Sequence, residues 1–199
     1  MWKRSAAEAR DIMRERGLDE AEIVDTPADG VTKFADWTNP IGWDVRQATL
    51  EVVEPAGLPD EYRFLCDYLV NPTSLTFFSC PTPAEGVIAE LVPLDRPDQK
   101  LLESLNVRGK ILLSSSAGGS MKPLLERFGA LGVVGDARVG EYENENAWLN
   151  TWSSHPGGWL MTASEPRGTF CFSISSKKGA YLRNLIAQGK TVKVRARID

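Results

Sequence analysis

The stretch VRGKILLSSSAGGSMKPLLERFGALGVVG, residues 107–135, carries two short apolar runs with a helical pattern between them. Gly109-Lys-Ile-Leu-Leu-Ser114 reads as a strand buried on both faces, because its apolar residues are continuous rather than alternating and Gly and Ser bound it. A helix should follow. Ser120 is placed to cap it, Pro123 is tolerated in a first turn whose N–H groups have no helical partner, and Leu124, Leu125, Phe128 and Leu131 form an inward stripe. Gly132-Val-Val-Gly135 then reads as a second short buried strand. Such a unit crosses over right-handed to a parallel partner, so the two strands are expected to be parallel neighbours in a mixed α/β fold.

Working outward, residues 170–175 alternate as a strand, Ser176 can cap a helix carrying Leu182, Leu185 and Ile186, Gly189 ends it, and residues 191–198 alternate again. Upstream, residues 87–94 form an apolar run. Residues 63–80 hold the clusters FLCDYLV and LTFF, split by Asn71-Pro72, which a continuing helix would not accept; they read as strand, turn and strand. Thr49, Glu51 and Val53 alternate with Leu50, Val52 and Glu54 as a strand, and residues 21–25 alternate weakly as another, with an irregular Trp-bearing stretch between. Ala6, Ala9, Ile12 and Met13 share one face at helical spacing before Gly17, which predicts a helix over residues 5–16. The expected division is an N-terminal extension of helix and strands over 1–58, followed by a domain over 59–199.

Composition excludes several classes of function. With 42% hydrophobic and 25% charged residues in 199, the chain can bury one ample core without staples. Its 27 acidic and 23 basic residues are well mixed, leaving no basic footprint for nucleic acid. No apolar run approaches the roughly 20 residues of a membrane span, and the charged, amphipathic N-terminus does not read as a secretory signal. The three cysteines, Cys66, Cys80 and Cys171, form no C-x-x-C pair and fit a reducing compartment. A cytoplasmic location follows as the expectation.

Few residues offer chemistry. A catalytic zinc needs a tight shell of imidazole, thiolate and carboxylate ligands, and the chain has one histidine, His155, in a Ser-Ser-His-Pro-Gly-Gly turn. No G-x-S-x-G elbow accompanies it for a serine triad. The Ser/Gly loop at residues 114–120 precedes a helix, where backbone N–H groups can hold an anion, yet it lacks the phosphate-loop and dinucleotide spacings and reads as loop and cap. Glu141, Glu143 and Glu145 alternate with Tyr142, Asn144 and Asn146; without the EF-hand spacing they read as a solvated charge run. No residue is assigned a catalytic role. Residues 136–168 form a long Gly-, Pro-, Ser- and Asn-bearing loop that holds Trp148, Trp152 and Trp159, three of the six tryptophans. Aromatics in a polar loop either fold back as a small core or make a recognition surface, so these three are the candidate substrate- or partner-binding residues.

Three blocks in order carry a resemblance. Val107-Arg-Gly-Lys-Ile-Leu-Leu, then Lys122 and Phe128-Gly-Ala-Leu-Gly-Val-Val-Gly, then Phe172-Ser-Ile-Ser with Gly179, Leu182, Gly189 and the alternating Val192, Val194 and Ala196 resemble the protease-associated domain. Pro27-Ala-Asp-Gly, Trp37 and Gly42-Trp-Asp-Val are similar to the stretch before that domain in bacterial two-zinc aminopeptidases. The family loop often reads RGxCxF, whereas this chain has residues 114–119, SSSAGG, so no role of that loop is carried over to this chain. The resemblance implies a swivelling β/β/α fold with an N-terminal helix-strand extension. It further implies a non-catalytic module that shapes or covers the cleft of a zinc aminopeptidase, with the catalytic domain and a peptide or protein substrate as partners. No cofactor is expected in this chain, the zinc ligands belonging to the catalytic domain. A free-standing peptide-binding module using the Trp loop, and a small serine hydrolase, stay open beside it.

Overall fold

In a computed structural model, residues 2–95, 99–149, 152–153 and 168–199 are described. The deciding stretch folds as its pattern dictates. Strand β6 (Ile111–Ser114) runs through helix α4 (Lys122–Phe128) into strand β7 (Gly132–Gly135), and the two strands pair in parallel, Ile111 opposite Gly132 and Leu113 opposite Val134. Gly129 closes α4 at φ 72, the left-handed turn that glycine adopts without steric cost. Every residue of β6 and β7 is buried, because both faces of this part of the sheet are covered. Alternation sorts them: Ile111, Leu113 and Val134 join the larger core, while Leu112 and Val133 join a smaller one with Met121 and Leu125.

The remaining elements are α1 (Trp2–Glu15), β1 (Lys33–Phe34), β2 (Trp37–Thr38), β3 (Ala48–Glu54), α2 (Asp60–Arg63), β4 (Phe64–Asp67), β5 (Val87–Pro93), α3 (Gln99–Ser104), β8 (Phe170–Ser173), α5 (Ser176–Ala187) and β9 (Lys193–Ile198). Seven strands make one mixed sheet in the order β4-β3-β9-β5-β6-β7-β8. Strands β5 to β8 are parallel, and β9 is antiparallel to both β5 and β3. Strand β3, from the N-terminal side of residue 58, thus lies within the same sheet as the rest. The two ends of the sheet approach one another: Leu75 bridges to Phe172, Thr76 donates its N–H to the Cys171 carbonyl at 2.9 Å, and the Cys66 thiol reaches the Ser173 carbonyl at 3.4 Å.

Four expectations are corrected. Residues 21–25 are a largely exposed irregular segment rather than a strand, with no ladder partner among the described residues. The second strand expected within 63–80 is reduced to the Leu75 bridge, preceded by a 3-10 turn at Pro72–Ser74 that Asn71 caps. Ser120 does not cap α4; it lies inside a 3-10 turn, Gly119–Met121, that leads into the helix. The cap of α5 is Ser175, whose hydroxyl accepts the Lys178 N–H, and Ser176 is the first helical residue. Helix α3, with one fully buried side chain, Leu102, is too short to produce a readable stripe and was not expected.

The first 47 residues form an arm. Its β1–β2 hairpin is pinned by Asp29, whose carboxylate accepts the Val31 and Thr32 N–H groups and the Thr32 hydroxyl. The Thr32 hydrogen bonds hold the Asp29 carboxyl down at about 2. The described side chains of α1 are all at least partly exposed, including the Ile12 and Met13 face. Among the described residues, no helix is long and apolar enough to cross a membrane.

Candidate functional site

Between β4 and the start of α5 the curled sheet leaves a cavity of about 560 Å³. Its position follows from the helix start. The first turn of α5 carries Lys177 and Lys178 and no acid, although the positive end of a helix dipole favours acids. Both lysines are therefore engaged elsewhere. Lys177 pairs with Glu61 of α2 at 2.7 Å, which holds the Glu61 carboxyl below its usual range, and Tyr62 stacks on Tyr181 at 3.8 Å between centroids. Lys178 donates to the carbonyls of Phe64 and Leu65 at 3.0 and 2.9 Å, tying the edge strand β4 to the helix. Across the cavity, Asn146 bridges to Ser175 and donates its amide to the Ser173 carbonyl at 2.8 Å. Ser74 also lines the cavity; it is 1% exposed, and its hydroxyl has no hydrogen-bond partner among the described residues.

The tryptophan loop divides. Trp152 is 0% exposed, its indole N–H donating to the Thr169 hydroxyl at 3.0 Å and its backbone N–H to the Phe77 carbonyl at 2.8 Å. It is a core residue of the α3–α4 side, so the recognition surface expected of it is closed within this chain. Trp148 is 68% exposed and stays available for contact. Trp159 and His155 lie outside the described residues. An aromatic group not singled out from the sequence adjoins Trp152: the ring of Trp43 meets Phe77 edge-on at 5.0 Å and Phe78 at 6.4 Å, and its indole N–H reaches the Ser79 carbonyl at 3.2 Å. Phe78 holds φ 67, a region an aromatic residue adopts only under constraint. Ser79 supplies that constraint, its buried hydroxyl donating to Thr76 and accepting the Cys171 N–H at 3.0 Å. Two adjacent phenylalanines cannot both point inward from extended chain, which is the signal that could have marked this edge.

The C-terminal ends of β6 and β7, where open α/β sheets commonly receive ligands, are filled by an ion cluster. Asp136 takes a two-pronged contact from Arg183 at 2.7 and 3.0 Å, and Arg183 also reaches Asp95 at 2.8 Å and the Leu113 carbonyl at 3.3 Å. In the adjoining Ser/Gly loop, Ser114 is wholly buried and its hydroxyl accepts the Ser116 N–H, so it is not presented as a nucleophile. Glu141, Glu143 and Glu145 are exposed, and the Glu143 carbonyl accepts the Lys177 N–H at 2.9 Å.

Among the described residues, no group of three or more His, Cys, Asp or Glu side chains is placed to hold a metal ion. The residues described do not fit a zinc centre.

All three thiols are free. Burial pushes Cys66 and Cys171 up to about 12 and Cys80 to about 11. In the unfolded chain these thiols ionise near 9, so between 9 and 12 the unfolded state sheds protons that the folded state keeps. The thiols' contribution to stability is therefore expected to be constant below pH 9 and to be lost as pH rises through that window, measured as the urea midpoint from about pH 7 upward. In native protein at about pH 8, Cys66 and Cys171 should resist a thiol-reactive dye until denaturant is added; reaction as fast without denaturant as with it would refute their burial.

No family model and no curated protein matches this sequence. Solved structures do. BSAP, a zinc aminopeptidase from Bacillus subtilis, superposes with a TM-score of 0.60 at 18% identity, over 99% of this chain and 37% of its own. An aminopeptidase from Aneurinibacillus sp. strain AM-1 gives 0.53 at 14%, over 78% of this chain and 31% of its own. A peptidase M28 precursor from Shewanella amazonensis gives 0.50 at 17%, over 77% and 34%. The fold is shared with aminopeptidase chains. This chain spans about a third of the length of those structures, and at such identities the likeness concerns the fold.

Proposed function

We propose that this chain is the protease-associated module of a two-zinc aminopeptidase, in the swivelling β/β/α form, set over or beside the catalytic cleft to shape access and contact substrate without making or breaking bonds. The observation that carries the reading is the N-terminal arm. Ile12, Met13, Val31, Phe34 and Trp37 are about half exposed or more within residues 12–37, a density of uncovered apolar surface that marks a contact face. Its extent alongside aminopeptidase structures three times as long supports a catalytic body as the natural cover. Trp148 and Phe77 extend the exposed apolar surface outside the arm.

The test has two parts. Residues 1–199 alone should show no hydrolysis of leucine p-nitroanilide with added zinc or cobalt, and chelator-sensitive turnover would overturn the reading. Joined to a zinc aminopeptidase catalytic body, the module should alter KM more than kcat when Phe34 and Trp37 are both changed to serine, because loss of a shaping contact disturbs substrate entry rather than chemistry. Unchanged kinetics in that variant would equally count against it.

A further inference from the structure

Several hydrogen-bond donors line the cavity between β4 and α5. Lys178 contributes an ammonium whose described partners are the two neutral carbonyls of β4; no carboxylate pairs with it among the described residues. The N-terminal end of α5 adds its own positive field on the same side. Ser74 adds a buried hydroxyl with no partner, a group that costs free energy to desolvate unless something bonds to it. Asn71, Asn144 and Asn146 supply amides along the walls. Two carboxylates also line the space, and both are engaged: Glu51 pairs with Arg195 at 2.6 Å, and Asp67 accepts the Leu69 N–H at 2.9 Å. Leu65, Phe64 and Val70 make an apolar wall beside these groups. At about 560 Å³ the space matches small-ligand sites rather than single ions.

We propose that this cavity is a binding site for a short peptide, with its C-terminal carboxylate received by Lys178 and Ser74 and its amide groups by the asparagines. Carboxylate bound to ammonium gains a charge-assisted hydrogen bond that neutral carbonyls do not provide. The site lies wholly within this chain and does not depend on docking to a catalytic body, so it can fail while the proposed function stands, and the reverse.

The probes are acetyl-Ala-Val-Ala with a free carboxylate, the same peptide as its C-terminal amide, and acetate, each titrated into the 15N-labelled full chain and followed by amide chemical shifts. The acid should give saturable shifts at Phe64, Leu65, Cys66, Asn146 and Lys178 with a Kd of about 1 mM or tighter. The amide should bind roughly tenfold more weakly, the worth of one charge-assisted contact. Ser74→Ala removes an unpartnered hydroxyl, so the free protein should melt at the same or a higher temperature while affinity for the acid falls at least about threefold. A merely structural serine would not separate those two readouts. Lys178→Arg should retain most of the affinity and Lys178→Gln should lose it, the fold being checked by the unshifted part of the spectrum. Equal binding of acid and amide, absence of shifts at these residues, or Ser74→Ala leaving affinity unchanged would overturn the site. Acetate binding as tightly as the peptide acid would overturn the peptide assignment.

Discussion

Replacing Trp152 with alanine is expected to destabilise the chain by about 3–5 kcal/mol, whereas Trp148→Ala should stay within about 0.5 kcal/mol of the parent. The two residues sit four positions apart in one loop, so the contrast tests burial and nothing else. Trp152 is wholly enclosed in the smaller core with Met121, Leu125, Leu112, Val133 and Cys171. Its removal opens a cavity that α4 and the sheet can close only in part, and it orphans the Thr169 hydroxyl, which is itself buried. For a chain of this size, such a loss lowers the melting temperature by roughly 10 °C. Trp152→Phe keeps the ring and loses the hydrogen bond, so it should fall between. Equal melts for Trp148→Ala and Trp152→Ala would place both residues on the surface.

Gly179→Ala should be the second large effect, at about 3 kcal/mol, and in the direction opposite to helix propensity. Alanine is normally better than glycine inside a helix by about 1 kcal/mol. Here a Cβ would lie 2.3 Å from both the Cβ and Oδ2 of Asp136, closer than real atoms approach. Asp136 cannot easily give way: it is 5% exposed, Arg183 grips its carboxylate at two points, and its N–H is bonded to the Ser114 carbonyl. Either α5 lifts from the sheet or the ion cluster breaks, and both cost more than the propensity gain. The check is a double-mutant cycle in urea. In an Asp136→Gly background the clash is gone, so Gly179→Ala should become neutral or stabilising. The same cost in both backgrounds would show that the contact is not the cause.

How much of this was legible in the sequence depends on the range of the interaction. The parallel pair β6 and β7 and the helix between them could be read, because continuous apolar runs, Pro123 and Gly129 act locally. Gly179 could be picked out by resemblance, but its reason could not be read, since Asp136 lies 43 positions away and meets it only in the folded sheet. The cap of α5 differs by one residue from the sequence reading, because Ser175 and Ser176 compete equally in sequence, whereas α4 has no side-chain cap and is entered from a 3-10 turn. Two of the three tryptophans part company: Trp148 is exposed, while Trp152 turns inward on the Phe77 carbonyl and leaves Phe77 exposed beside a half-buried Phe78. The cavity left one trace in sequence, two lysines in the first turn of a helix, and without Glu61 and β4 beside them that trace has no address.

The central place of β9 has a consequence for the order in which the protein can be made. Residues 193–198 are synthesised after every other strand of this sheet, yet they form the strand that joins β3 to β5. Until Ile198 has left the ribosome, the antiparallel half of the sheet is two separate pieces with bare edges, while the parallel half can already assemble from neighbouring segments. Nascent chains should therefore pause as a half-built sheet whose open β3 and β5 edges are the surface most in need of protection.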